Sequence, residues 1–199
     1  MRSKDSYLKD VQLIKEILHE QEDRVLLRPW VFASWAVIIA LATGASTYLR
    51  ESAGWTGGMI AWRVWIAAIL LGGVLETAGW LRYLRREEPV VLTAHHIKLL
   101  LSFVGVIVAA CAVVSVLIGQ GADISAVLPM LLAICMFILA VFTFKSLFAE
   151  AYALLFLGIF LAVVDVSPGT LYQIAGYGAA VVFAAAALHT RYVLKGRNE

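Results

Sequence analysis

An all-α, polytopic membrane protein is what this sequence predicts, from six apolar runs that carry almost no charge and from loops that alternate between basic and nearly charge-free. The runs lie at 30–48, 64–80, 99–118, 124–144, 147–164 and 171–188. Most approach the ~20 residues a helix needs to cross ~30 Å of hydrocarbon. Lipid offers the backbone no hydrogen-bond partner, so a spanning segment is a helix or part of a closed barrel, and these runs lack the two-residue alternation of a barrel strand. Composition agrees: 62% of residues are hydrophobic and 15% charged, against roughly 45–50% and 25% in soluble domains. A chain of 199 residues holds a cytoplasmic head at 1–29, a six-helix domain at 30–192 and a short tail at 193–199, with no room for a second folded domain.

The head comes first. Tyr7, Val11, Ile14, Leu18, Gln21 and Val25 alternate spacings of four and three, which places them along one seam of an amphipathic helix with a single polar position. Leu8, Leu13 and Ile17 widen that face; Ser3 or Asp5 caps its start, and Pro29 stops or bends it before Trp30. Met1–Arg28 is charged throughout and has no continuous apolar core, unlike a cleavable signal. Acidic and basic residues balance in this stretch, so anionic lipid attracts it little. The seam therefore reads as a surface for pairing with another helix, through Tyr7, Val11, Ile14, Leu18 and Val25, or as a helix folded back over the inner loops.

Basic residues orient the spans. Of the 16 Lys and Arg, Arg2, Lys4, Lys9, Lys15, Arg24 and Arg28 precede the first span. Arg82, Arg85, Arg86 and Lys98 flank the second connection, Lys145 lies in the fourth, and Arg191, Lys195 and Arg197 follow the last span. Only Arg50 and Arg63 remain for the opposite side, so the positive-inside rule makes both termini cytoplasmic. Trp30, Trp80 and Tyr83 then sit at the inner interface, and Trp55, Trp62 and Tyr172 at the outer one.

Between the fourth and fifth spans only Lys145-Ser146 interrupts the apolar sequence, which predicts a tight helical hairpin. Pro129 falls near the start of its span and Pro168 in a loop, so neither breaks a helix at mid-membrane. In the sixth span Gly176, Ala180 and Ala184 form a small-xxx-small stripe for close helix packing, with Val182 on the opposite face.

Ionisable residues within spans are expensive, by ~2.5–3.5 kcal/mol at mid-helix, and so mark candidate sites. Glu76 lies six residues before Arg82, ~9 Å below the basic rim, and is expected to face the bundle interior. Gly72 and Gly79 near the same stripe let a neighbouring helix approach. Glu150 is about one turn into the fifth span, five residues from Lys145. Glu76, Glu150 and Lys145 form the candidate intramembrane polar site. Its structural reading has the carboxylates satisfied by Lys145, His189, Ser102 or a backbone carbonyl. Arg63 snorkels to the outer rim. His95, His96 and His189 lie at the cytoplasmic rim without carboxylate or Cys at ligand spacing, and Cys111 and Cys135 read as packing residues. No metal or cofactor is expected, and the sequence lacks HExxH, GxSxG, P-loop and dinucleotide-binding patterns. The net charge of +2 is too small and scattered for nucleic acid.

The run Asp10-Val11-Gln12-Leu13-Ile14-Lys15-Glu16-Ile17, leading through a charged stretch into a Trp-containing first span, resembles a group of uncharacterised bacterial six-span integral membrane proteins that open with a short charged cytoplasmic helix. Many of that group carry Pro-Gly-Trp before the first span, where this chain has Arg28-Pro29-Trp30. The resemblance implies a bacterial inner (cytoplasmic) membrane protein, and no activity or site. Two classes of function fit. One is a non-catalytic regulatory or accessory component that contacts the lipid bilayer and, through its head and sixth span, a protein partner or a second copy. The other is a small transporter or channel that handles protons or small cations through Glu76 and Glu150.

Overall fold

The computed structural model describes residues 12, 29–84, 101–102, 104–106, 108–109, 112, 116, 125–142 and 147–196. Among these the regular secondary structure is all helical, without strands. Helix α1 spans Pro29–Ala53 and α2 Gly57–Ile60; a π turn, Ala61–Trp65, leads directly into α3, Ile66–Leu84. Then follow α4 (Val127–Phe142), α5 (Phe148–Val163) and α6 (Pro168–Gly196). Three stretches are long and apolar enough to cross a membrane: Pro29–Ala53, Gly57–Ala78 and Pro168–Val193. At 1.5 Å per residue the 25 residues of α1 cover ~38 Å, more than a hydrocarbon core. Val127–Val141 and Phe148–Val163 are shorter apolar helices. The head at 1–28 lies outside the described residues except for Gln12, which is helical, and so do the connection at 119–123 and the Lys145-Ser146 turn. Of the third run, residues 101–102, 104–106, 108–109, 112 and 116 are described, and they are helical.

Two prolines correct the expected helix starts. Pro29 and Pro168 each occupy the first position of a helix, α1 and α6. That position needs no N–H, and the fixed φ of proline suits it. Ser167 caps α6: its hydroxyl accepts from the Thr170 N–H at 3.3 Å. This helix thus begins before residue 171, where the sixth apolar run is expected to start, and Pro168 belongs to it. At the other end of α1, Gly54 takes φ +64°, a left-handed conformation that glycine adopts without steric cost. The Trp55 N–H then reaches back to the Leu49 carbonyl at 3.2 Å.

The helices alternate in direction. Against α1, α6 runs antiparallel: Arg50 lies over Tyr172, Gly176 abuts Thr43, and the Phe32 and Phe183 rings sit 6.3 Å apart. Glu150 meets His189 and Leu157 meets Gly178, so α5 is antiparallel to α6. Met130 packs on Gly158 and Phe137 on Phe148, so α4 is antiparallel to α5. Trp65 touches Tyr172 while Gly72 lies under the Trp35 ring, so α3 runs against α1. It follows that α3 ends, and α4 begins, at opposite ends of the bundle.

Small residues make the core. At Gly176 an added Cβ would overlap the Thr43 hydroxyl, so only glycine allows α1 and α6 this approach. Thr43 is fully buried, and its hydroxyl donates to the Ile39 carbonyl at 2.8 Å. Ala133, Ala140, Ala151, Leu154, Ala179 and Ala186 have no exposed surface. The outside is apolar too: Leu41, Leu70, Phe156, Val181 and Leu188 are all exposed. A helical assembly apolar inside and out suits a lipid surround.

The sixth-span stripe is corrected in part. Gly176 and Ala180 are buried, but Ala184 is exposed, and the seam continues through Phe183 and Ala187. Four residues turn a helix by ~400°, so a strict four-residue stripe drifts ~40° per step away from a straight neighbour. Val182, expected on the opposite face, is half-buried against the core; Val181 faces outward at 68% exposure. Helices α4 and α5 pack against each other, with the Phe137 ring 5.0 Å from Tyr152 in an edge-on contact, while the hairpin turn expected at Lys145-Ser146 lies outside the described residues.

Candidate functional site

Two polar clusters lie at opposite ends of the described bundle. At the first, Glu150 sits in the first turn of α5 and His189 in the last third of α6. His189 Nδ1 and Glu150 Oε1 are 2.6 Å apart. Glu150 is only 7% exposed, because the N-terminal turn of α5 faces inward with Leu147, Ala151 and Leu154. Its second oxygen, Oε2, is buried and has no hydrogen-bond partner among the described residues. One proton between imidazole and carboxylate suffices to make the contact attractive, and the histidine edge stays accessible at 34% exposure. Thr190 beside it turns its hydroxyl back onto the Ala186 carbonyl. Chemically this is a helix-to-helix clamp with an unused acceptor.

Glu76 sits elsewhere. It lies on α3, which packs beside α1, and the Trp35 side chain is its polar neighbour. It is exposed among the described residues, to which the third run contributes only a few, and its carboxylate lies along the α1–α3 margin. The reason is the rotation of α3. Gly72, one turn earlier, is the residue pressed against Trp35, where an added Cβ would overlap the ring. That leaves Glu76 at the edge of the contact, and the structure does not bring Glu76 and Glu150 together. Lys145, His95 and His96 lie outside the described residues, as does the seam of Tyr7, Val11, Ile14, Leu18 and Val25. Among the described residues no three His, Cys, Asp or Glu side chains gather as a metal set.

The second cluster joins the end of α1 to the start of α6 and the π turn. Trp65 donates its indole N–H to the Tyr172 hydroxyl, and the rings meet edge-on at 82°. The Arg50 guanidinium lies 5.4 Å from the Tyr172 ring centre, and Arg63 lies 5.2 Å from that of Trp55. Beside them a cavity of about 150 Å³ opens between Thr47, Arg50, Glu51, Thr170, Tyr172 and Gln173. π turns inside α-helices recur at functional positions. Sequence reasoning does not single out this cluster, although Arg50 and Arg63 are the basic residues left on this side and Trp55 and Tyr172 are expected at this interface.

No known protein family, curated protein or solved structure matches this chain.

Proposed function

We propose that the chain is a six-span protein of the bacterial inner membrane with both termini cytoplasmic, and that it is a non-catalytic regulatory or accessory component whose head engages a protein partner. Helix direction supports the count: α3 ends and α4 begins at opposite ends of the bundle, the placement that a six-span order calls for. The described residues between 101 and 116 are helical. The split of basic residues supports the orientation. The observation that favours an accessory component over a transporter is the packed core: Ala133, Ala140, Ala151, Leu154, Ala179 and Ala186 have no exposed surface, and the buried carboxylate is clamped by His189. Reporter fusions at Gly121 and Gly169 should read as external and fusions at Glu88 and Glu199 as internal; an external C-terminus overturns the topology. Crosslinking in native membranes should capture a partner that Ile14→Asp and Leu18→Asp variants lose while still inserting. An identical catch from both forms overturns the role of the head.

A second reading, proton or small-cation handling by Glu150 with Glu76, is favoured by the buried, unpartnered Oε2 beside a titratable histidine. In proteoliposomes it requires a flux that Glu150→Gln abolishes at unchanged thermal stability. Absence of flux in the wild-type protein removes it.

A further inference from the structure

The cavity at the Arg50 end has a chemistry that the clamp at the Glu150 end lacks. It lies where α1 stops and α6 starts, so in a membrane these two spanning helices bring it to the level of lipid head groups. Its lining places opposite charges side by side. Arg50 is half-buried and held over Tyr172, whereas Glu51, the next residue, is exposed. The start of α6 adds a partial positive charge on Arg50's side. Ser167 occupies the Thr170 N–H, and Pro168 has none. The approach to the Gly169 backbone is open, since an added Cβ there meets nothing within 4 Å. Around these charges stand groups that both give and accept hydrogen bonds. The Thr47 hydroxyl donates to the Thr43 carbonyl and keeps its lone pairs for a cation, and the Gln173 amide offers both kinds of group.

An anion alone would meet Glu51, and a cation alone would meet Arg50 and the helix start. A zwitterion satisfies both. We infer that this cleft binds the head group of an ammonium-bearing zwitterionic phospholipid, with the phosphate on Arg50 and the first turn of α6 and the ammonium on Glu51 and the Thr47 hydroxyl. A guanidinium fork matches phosphate geometry in two hydrogen bonds. The cavity volume of about 150 Å³ holds the polar head, while the exposed apolar outer faces of α1 and α6 at Leu41 and Val181 leave the acyl chains in bulk lipid. The inference rests on these helices crossing the membrane; it is independent of the partner and of the number of spans. A soluble molecule with the same phosphate–ammonium chemistry is the other source, and the test separates the two.

The purified protein is titrated by native mass spectrometry with phosphatidylethanolamine, phosphatidylglycerol and glycerophosphoethanolamine. Wild type should retain phosphatidylethanolamine about tenfold more strongly than phosphatidylglycerol, the scale of one charge-assisted contact. Arg50→Gln should weaken retention of the zwitterionic lipid by about the same factor. Glu51→Gln should erase the preference between the two lipids. Gly169→Val should block the cleft at unchanged melting temperature, because its new side chain enters open space. Equal retention of both lipids by wild type overturns the inference, as does retention unaffected by Arg50→Gln. Binding of glycerophosphoethanolamine as tight as that of the lipid overturns the lipid source and reassigns the cleft to a soluble zwitterion.

Discussion

The two ends of the bundle solve the burial of polar groups in opposite ways. At the Glu150 end one carboxylate is withdrawn into a dense apolar core and answered by one histidine 39 residues later. At the Arg50 end two guanidiniums stay near the surface, each over an aromatic ring, around a small open cleft. Desolvating a carboxylate is costly unless it is paired, so the first arrangement tolerates little change. Guanidiniums over rings keep most of their hydration, and the second arrangement can exchange partners. The lesson is that one end fixes how the helices stand, and the other is built to meet something outside the chain.

The largest test concerns the joint that connects both ends. Gly176→Ala would drive a methyl into Thr43, which is fully buried and cannot withdraw. A loss of ~3 kcal/mol or more is expected, read as a large drop in detergent melting temperature. A wild-type melt would mean that α1 and α6 are not held in this register.

Next comes the clamp. Glu150→Ala should cost ~2–3 kcal/mol, below the full figure for a broken buried pair because the His189 edge is partly exposed. In a double-mutant cycle with His189→Ala the two losses should be non-additive by ~1 kcal/mol or more. Strict additivity would show that the contact contributes no coupling.

At the opposite end Trp65→Phe keeps an aromatic ring but deletes the donor to Tyr172 and part of the indole, so ~1 kcal/mol or somewhat more is expected. Its effect should add to that of Glu150→Ala, since the two sites share no partner. A coupled response would erase the distinction between the ends. Smallest of all, Ala184→Leu should change stability by less than ~0.5 kcal/mol, as its side chain faces outward. Ala180→Leu, which starts from a buried position against α1, should be clearly worse. Comparable damage at both positions would restore the four-residue stripe as the true interface.

Part of the site is legible in the sequence alone. Glu150 stands out because a carboxylate in an apolar run is rare, and His189 is among the few polar partners expected at the same end of the bundle. Glu76 stands out for the same reason, but its place beside Trp35 on the α1–α3 margin has no signal in the sequence, because it follows from Gly72, one turn earlier, packing against that ring. The Trp65–Tyr172 contact has no such signal, because neither residue is unusual alone and a π turn leaves no pattern in composition.

Roughly where the described helices lie along the chain, that three of them are long and apolar enough to cross a membrane, and which loops are basic were determined by the sequence itself, since these depend on local composition and on the cost of burying charge. The tertiary structure decided how each helix is rotated about its axis. That choice put Phe183 and Ala187 rather than Ala184 on the α1 seam, tied Glu150 to His189, and left Glu76 on a margin. The physical reason is that a helix apolar on every side has no hydrophobic stripe to orient it. Its rotation is set by where small residues let backbones approach, and that is a property of pairs of helices.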